Sequence, residues 1–536
     1  MQNIRDRGTG RLFDEWKSLG DKRLKRLKGS WAEVFRSEVL ERLPSEKIAQ
    51  AFDPGFGRPT VDIPVVIGAL ILQQMFNLTD RETADSVAFN LSWHYALDVQ
   101  AESDLEMTDR TLRNYRRLVI DLGLDEVIFR DVTEGLIRAF NVDTAVQRMD
   151  STGFKSAMRE LTRLGTFVET VSKFIRELKR KAPSEYERVD PEVIRKYVDR
   201  EGEGCFGVRP VETGKRLPEA AEELRRLLDQ FAGTEASELE SYRLMERVFR
   251  EQCEVMPDDS GAGDRLRIKD SGETGSDILN NPSDPDSAYN AVKGQGYIAQ
   301  VMETYTEADH GEKQVPDIIT YVKVNKMTEA DANALKPALH DVLERGLLPE
   351  SMVADTPYGA VKNQADAESL GVKIVAPAYP PNRDYAAGGN LTVENFELDE
   401  NGFVIRCPAG VAPVLTKQSK EHMDARFDGA SCAKCHLAEF CPCGRLAAKG
   451  KPPKLIYRKS KVGLIKRRLY EKTNAFKDKY RWRAGIEATI SRLKHRLGLA
   501  RIRVRGRPAV TFALFFKALG LNIWRCGNFI QALQPA

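Results

Sequence analysis

Histidine is scarce in this chain, six residues among 536, and the six are scattered. None stands in a His-Glu-x-x-His pattern, which excludes the zinc-peptidase helix. Neither a Gly-x-Ser-x-Gly elbow nor a Gly-Lys-Ser/Thr phosphate loop occurs, so serine-nucleophile hydrolysis and ATP dependence have no support. Excess charge is nearly absent too: 82 Lys and Arg against 79 Asp and Glu leave +3. There is no internal repeat and no heptad run long enough for a coiled coil. The most apolar stretch, Val61 to Phe76, is interrupted by Asp62, Pro64 and two glutamines and falls short of the roughly 20 apolar residues of a membrane span. The opening residues, Met-Gln-Asn-Ile-Arg-Asp-Arg, carry no signal-peptide pattern. A cytoplasmic protein with no membrane contact is expected. At 42% hydrophobic content the chain has the apolar mass for real cores in two to four domains.

What is present is sharply localised. Between Arg445 and Arg507 stand 22 Lys and Arg against three acids, Glu471, Asp478 and Glu487, a balance of +19 that leaves −16 for the remainder. Such asymmetry marks a polyanion-binding segment rather than a generally basic protein. Within it lies Tyr-Arg-Trp-Arg-Ala-Gly-Ile-Glu-Ala-Thr-Ile-Ser-Arg-Leu-Lys. At about 100° per residue, Tyr480, Arg483, Glu487 and Lys494 project at roughly 0°, 300°, 340° and 320°, one narrow polar stripe. Ile486, Ile490, Leu493 and Leu497 project at roughly 220° to 280° and form the packing side. One carboxylate is thus presented among cations. An isolated Glu/Lys pair is most often an ordinary solvated helix face, and the charge asymmetry and two upstream acids are what argue otherwise.

Those acids are Asp150, where a short strand signal from Val146 and Met149 runs into small polar residues, and Asp355, which follows an apolar run and precedes Pro357, Tyr358 and Gly359. Each alone reads as a turn former. Around them the pattern predicts strands near 297 to 304 and 317 to 324, a helix from Thr328 to Arg345, the Asp355 strand, a further helix, and the strand Val372 to Ala376. That is a mixed α/β sheet in which carboxylates from two strands and one helix could converge.

The set Asp150, Asp355 and Glu487, with Tyr480, Arg483 and Lys494 around the third acid, resembles the DDE transposases of bacterial insertion sequences, in the group whose last motif is Tyr-Arg-Glu-Lys. Phe56-Gly57-Arg58-Pro59 through Thr-Leu-Arg-Asn-Tyr-Arg, ending at Arg116, is similar to the helical N-terminal domain of the same family. The resemblance covers most of the chain, least of all residues 160 to 290 and the termini, and Pro357 departs from the small residues frequent after the second acid. It implies an RNase H-like core in which the three acids hold two Mg²⁺ or Mn²⁺ ions, with Tyr480, Arg483 and Lys494 on transposon-end phosphates. Double-stranded DNA, both transposon end and target, is the implied partner, with a homodimer in the active complex and a nucleoid-associated location.

The expected organisation is a helical N-terminal domain (1–143) and an RNase H-like catalytic domain (144–536). The second is interrupted by a helical insertion (160–256), a polar linker (257–290) and a Cys-rich insertion (400–450). In the first domain Thr108 caps a helix carrying Arg110, Arg113, Arg116 and Arg117, which reads equally as a DNA-reading helix or a bundle helix with solvated arginines. Arg113 and Arg116 are its candidate DNA contacts, and Arg492 is a further one. Five of the eight cysteines fall between Cys407 and Cys443. Cys432 and Cys435 have zinc-knuckle spacing, which predicts a structural zinc on Cys407, Cys432, Cys435 and Cys441, with Cys443, His436 and His422 as alternates. A reduced thiol cluster is the plainer reading. Cys205, Cys253 and Cys526 are isolated, and His340 and His495 read as surface residues. A different class, a zinc-containing DNA-binding protein descended from a transposase but without catalysis, differs by having no need for the three acids; a stand-alone nuclease would share them.

Overall fold

The computed structural model describes residues 2–4, 15–57, 60–99, 107–199, 210–257, 264–308, 315–380 and 389–533. Arg58 and Pro59 of the Gly-Arg-Pro motif, and Cys205, lie outside them. The architecture is mixed helix and sheet. Five strands form the central sheet: β1 (Val146–Phe154), β2 (Gly294–Thr304), β3 (Ile319–Lys326), β4 (Ser351–Ala354) and β5 (Lys373–Val375). Their spatial order is β3-β2-β1-β4-β5, and the short strand Ala288–Asn290 adds a hairpin onto β2. β2 runs antiparallel to β1 and β3, whereas β1, β4 and β5 are parallel. β2 is buried almost end to end because helices cover the sheet.

The longest helix, Arg507–Leu533, covers the sheet and joins it to the N-terminal helices. It is long and apolar enough to cross a membrane, but 78% of its most apolar window is buried inside the protein. It is a second long apolar stretch beside Val61 to Phe76. The latter forms the helix Ile63–Phe76, buried on nearly all sides, and stops where Asn77 turns left-handed (φ 54°). The next helix then starts on a reciprocal cap between Thr79 and Glu82.

The insertion after β1 has its own apolar core on the helices Arg163–Lys181, Pro210–Phe231 and Glu240–Gln252. The segment expected as a linker is more ordered than its composition suggests. It carries the strand Arg265–Ile268, paired with Cys253–Met256, and the buried residues Asn281, Asp284 and Ser287. Asp284 accepts hydrogen bonds from Ser156 Oγ (2.5 Å), Tyr297 Oη and the Gly506 amide (3.2 Å). Asn281 and Asp284 are thus satisfied in the interior instead of meeting water.

Residues 391 to 458 hold a separate small core around Phe396, Met423, Phe427 and Tyr457, beneath the three-stranded sheet of Leu415–Gln418, His422–Arg426 and Lys454–Arg458.

Candidate active site and nucleic-acid interface

Sheet register brings the first two acids together. Met149 pairs in parallel with Ala354, so the following residues, Asp150 and Asp355, stand side by side on neighbouring strands. Asp150 is not at a strand end, as its sequence context suggested. β1 continues to Phe154, because Ser151 to Phe154 pair with Gln300 to Tyr297 of the long β2. Asp355 does follow its strand and caps the turn Thr356–Gly359, accepting from the Thr356 amide (2.8 Å). Such strand ends are where open α/β sheets place their ligands.

The third acid arrives on the helix Ala484–Ser491, and Arg483 ties all three together. Its guanidinium lies 3.0 Å from Asp150 Oδ2, 3.7 Å from Asp355 Oδ2 and 2.7 Å from Glu487 Oε1. Exposure is graded across the triad, with side-chain values of 14% at Asp150, 43% at Asp355 and 60% at Glu487. Burial pushes the Asp150 carboxyl above its ordinary range, against the opposing pull of the Ser151 amide and Arg483, while Asp355 and Asp331 add to the rise. Arg483 is held above its ordinary value: burial opposes its charge, and Asp150 and Asp355 outweigh it. Tyr480 stacks on Phe476 at 5.2 Å, and burial pushes its hydroxyl up to about 12. Lys494 is half-buried, while Arg492 is exposed.

Helical projection anticipated much of this face, with differences. Ile486, Leu493 and Leu497 are fully buried, but Ile490 is only half-buried and Thr489 takes its place in the interior. The path is not one regular helix. A 3-10 turn, Arg481–Arg483, precedes it and a wider π turn, Arg492–Arg496, follows, so the phase drifts from a steady 100° per residue.

Beneath the site lies a buried network that local sequence pattern does not predict. Arg148 Nε donates to Glu303 Oε1 (2.7 Å), its Nη1 to the Trp482 carbonyl (2.9 Å) and its Nη2 to Asp317 Oδ2 (3.2 Å). Arg525, on the C-terminal helix, meets Glu303 Oε2 at 2.8 Å, and Thr489 Oγ1 donates to the same carboxylate (2.8 Å). Gly485 is required at this crossing: a Cβ there would fall 1.9 Å from Arg148 Nη1. The helix bearing Glu487 is therefore bolted to the strand bearing Asp150. The available signal was a pair of charged residues, Arg148 and Glu303, inside otherwise apolar strand patterns.

The other candidates fall out differently. Arg116 donates to Gln73 Oε1 (2.8 Å) and pairs with Asp80, an intramolecular engagement, whereas Arg113 is exposed. Within the basic segment, Arg467 and Arg468 donate to backbone carbonyls of Gly359, Ala376 and Tyr379, and Arg496 lies over the Trp524 ring. Arg481, Arg492, Arg501 and Arg505 face solvent. His340 and His495 are exposed.

Cys407, Cys432, Cys435, Cys441 and Cys443 line one cavity of about 20 Å³, room for a single water-sized particle. His422 and His436 are exposed and do not line it. Cys441 begins the helix Pro442–Ala448; a hydrogen bond from the Cys443 thiol and the amides of Gly444 and Cys443 lower it to about 6, while burial pushes Cys432 up to about 11. Among the described residues no group of three or more His, Cys, Asp or Glu is arranged to hold a metal ion, in this cluster or in the triad.

Three carboxylates gathered on one guanidinium, beside a cation-rich helix at the end of a mixed sheet, suit a nuclease-type enzyme acting on a polyanion. Residues 406–526 match the family described as Transposase DDE domain, and residues 25–118 the family described as Transposase domain (DUF772). The two matches support a DDE transposase of an insertion-sequence family, for which DNA is the implied partner and divalent metal the implied requirement. The first match contains Tyr480, Arg483, Glu487 and Lys494 but neither Asp150 nor Asp355, which join the site through geometry alone. No curated protein and no solved structure matches the chain.

Proposed function

We propose that this protein is a DNA transposase of the Tyr-Arg-Glu-Lys group that binds terminal inverted repeats, nicks the DNA with water, and joins the freed 3′-hydroxyl to target DNA. The observation that carries the proposal is the Arg483 guanidinium within ion-pairing distance of Asp150, Asp355 and Glu487. Residues distant in sequence converge there on one cation. Three antiparallel strands followed by two parallel ones, with an acid on β1 and another after β4, support an RNase H-like core.

The donor set fits divalent metal. Carboxylate oxygens are the ligands that Mg²⁺ or Mn²⁺ prefer, and because burial raises the Asp150 carboxyl, a cation placed beside it favours the ionised form. Asp150, Asp355 and Glu487 would hold two such ions, which when bound supply charge stabilisation to the attacking and leaving oxygens of an in-line displacement. Arg483 holds the triad together and offers a fork for a phosphate, and Lys494 offers a point charge. Hydrolysis leaves a 3′-hydroxyl. In joining, that oxygen forms one phosphodiester bond as the target's bond breaks, so ester bonds are conserved and ATP is not needed. A structural zinc on Cys407, Cys432, Cys435 and Cys441 is proposed on the chemistry of the thiols, which line one cavity and would have to close around the ion. A homodimer at paired ends, in a nucleoid-associated cytoplasmic setting, completes the proposal.

The test uses supercoiled plasmid carrying the reading frame with its flanking DNA, incubated with Mg²⁺ or Mn²⁺. Asp150→Asn, Asp355→Asn and Glu487→Gln should each abolish nicking while DNA binding persists, because binding rests on many phosphate contacts. Nicking at the parental rate by any one would remove that residue from the site. DNA binding by an inactive parental chain would favour the non-catalytic DNA-binding protein, and nicking without strand joining a stand-alone nuclease.

A further inference from the structure

A second lysine reaches the same site from a different part of the chain. The hairpin between Ala288–Asn290 and β2 turns through residues 291 to 293, where Asn290 Oδ1 accepts from the amides of Val292 (2.9 Å) and Lys293 (3.1 Å), and Gly294 takes a left-handed φ of 81°. The turn aims Lys293 back over β1. Its Cβ lies 3.4 Å from where a side chain on Gly153 would begin. Its ammonium lies 3.1 Å from Asp331 Oδ2 and 3.5 Å from the hydroxyl of Ser151, the residue after Asp150.

Asp331 is held in turn. Gln300, fully buried on β2 and paired with Ser151, donates to Asp331 Oδ1 (3.2 Å), and Tyr358, three residues after Asp355, donates to Gln300 Oε1 (2.5 Å). A buried chain of side chains thus orients one partly exposed ammonium beside the acids. An ordinary surface ion pair contributes little and needs no such scaffold. Lys494 feels this charge: burial and then Lys293 hold it below its ordinary value. Two cations kept near each other repel unless an anion lies between them.

We propose that Lys293 is a further DNA-phosphate contact of the catalytic site, acting together with Lys494 on the strand laid across Asp150, with Asp331 as its positioning partner. This rests on the transposase reading and adds a residue to it.

The decisive measurement is the salt dependence of binding to a duplex cut from the DNA flanking the reading frame, alongside nicking of the parental plasmid. With six phosphate contacts the parental log-log slope is about −5, and loss of one contact makes it shallower by about 0.9. Lys293→Gln should show that change, and its nicking should fall about 100-fold, the order expected from a 1 Å misplacement. Lys293→Arg should keep the parental slope. Asp331→Asn retains the ammonium but frees it, so the slope should hold while nicking falls. An unchanged slope in Lys293→Gln overturns the proposal, whether or not nicking is lost, because a purely structural lysine releases no counterions. A parental chain that neither binds nor nicks overturns the transposase reading itself, and this inference with it.

Discussion

Glu303 is where the scaffold under the active site is most exposed to a single change. Its carboxylate is fully buried and takes hydrogen bonds from Arg148, Thr489 and, through an ion pair, Arg525, whose side chains are 5% and 9% exposed for the two arginines. Glu303→Ala leaves two guanidiniums inside the protein without their shared counter-charge. Removing one partner of a buried pair costs roughly 3–5 kcal/mol. Arg148 retains Asp317 at 3.2 Å, which places the expected loss near 3 kcal/mol, or about 3 °C in Tm for a cooperative unit of roughly 400–500 residues at about 2.1 cal/mol/K of unfolding entropy per residue. Glu303→Gln keeps the volume and some hydrogen bonding, and should lose about 2 kcal/mol.

The same group gives a pH signature. Burial opposes ionisation of Glu303, but Arg525 and Arg148 outweigh it and hold the carboxyl below its ordinary value. A depressed folded pKa means stability that is complete above the unfolded value of about 4.3 and lost as pH falls toward the lower folded value. The stability gap between the parental protein and Glu303→Gln should therefore be full at pH 7 and shrink below about pH 4. Urea melts at both pH values, followed by tryptophan fluorescence with Trp482 and Trp524 beside the network, measure it. Nicking should fall as well, since the Trp482 carbonyl and Thr489 lose their anchors. A Glu303→Ala protein within 0.5 kcal/mol of the parent at pH 7, or a gap to Glu303→Gln that does not narrow in acid, would refute the reasoning.

The remaining predictions concern the motif helix and the thiols. Arg483→Lys should lower nicking at least tenfold, since an ammonium cannot reach three carboxylates as a planar fork does; nicking at the parental rate would show that the fork is dispensable. Lys494→Ala should reduce nicking more than DNA affinity and leave Tm unchanged, because the packing belongs to Ile486, Thr489, Leu493 and Leu497; equal losses in affinity and rate would make Lys494 one contact among many. Protein purified without chelator should carry about one zinc per chain, and Cys432→Ser should release it and lower solubility before it alters nicking. Elemental analysis without zinc would leave a reduced thiol cluster.

Much of the site was legible in the chain because helical geometry is local. The spacing of Tyr480, Arg483, Glu487 and Lys494 predicted a shared face, and Ile486, Leu493 and Leu497 are buried as that spacing requires. The core strands, the Thr108 cap and the helix Asp109–Asp121 also lie within a few residues of their expected places, since periodicity and capping act over one or two turns.

What the sequence determined by itself was therefore the chemistry of each segment: three acids, one basic motif helix, one thiol cluster and the elements that carry them. Only tertiary structure decided which of these meet. Register between β1 and β4 places Asp150 beside Asp355, and Arg483 reaches both across more than a hundred residues of chain. Arg116 looked available on its helix until Asp80 of another helix claimed it. Arg148 and Glu303 stand out in sequence only as charges within apolar strand patterns, and it is the packing of the C-terminal helix that seals them in with Arg525. Propensity and periodicity act between neighbours in sequence, whereas the environment of a charge is set by whichever elements pack over it, and that is written only in the fold.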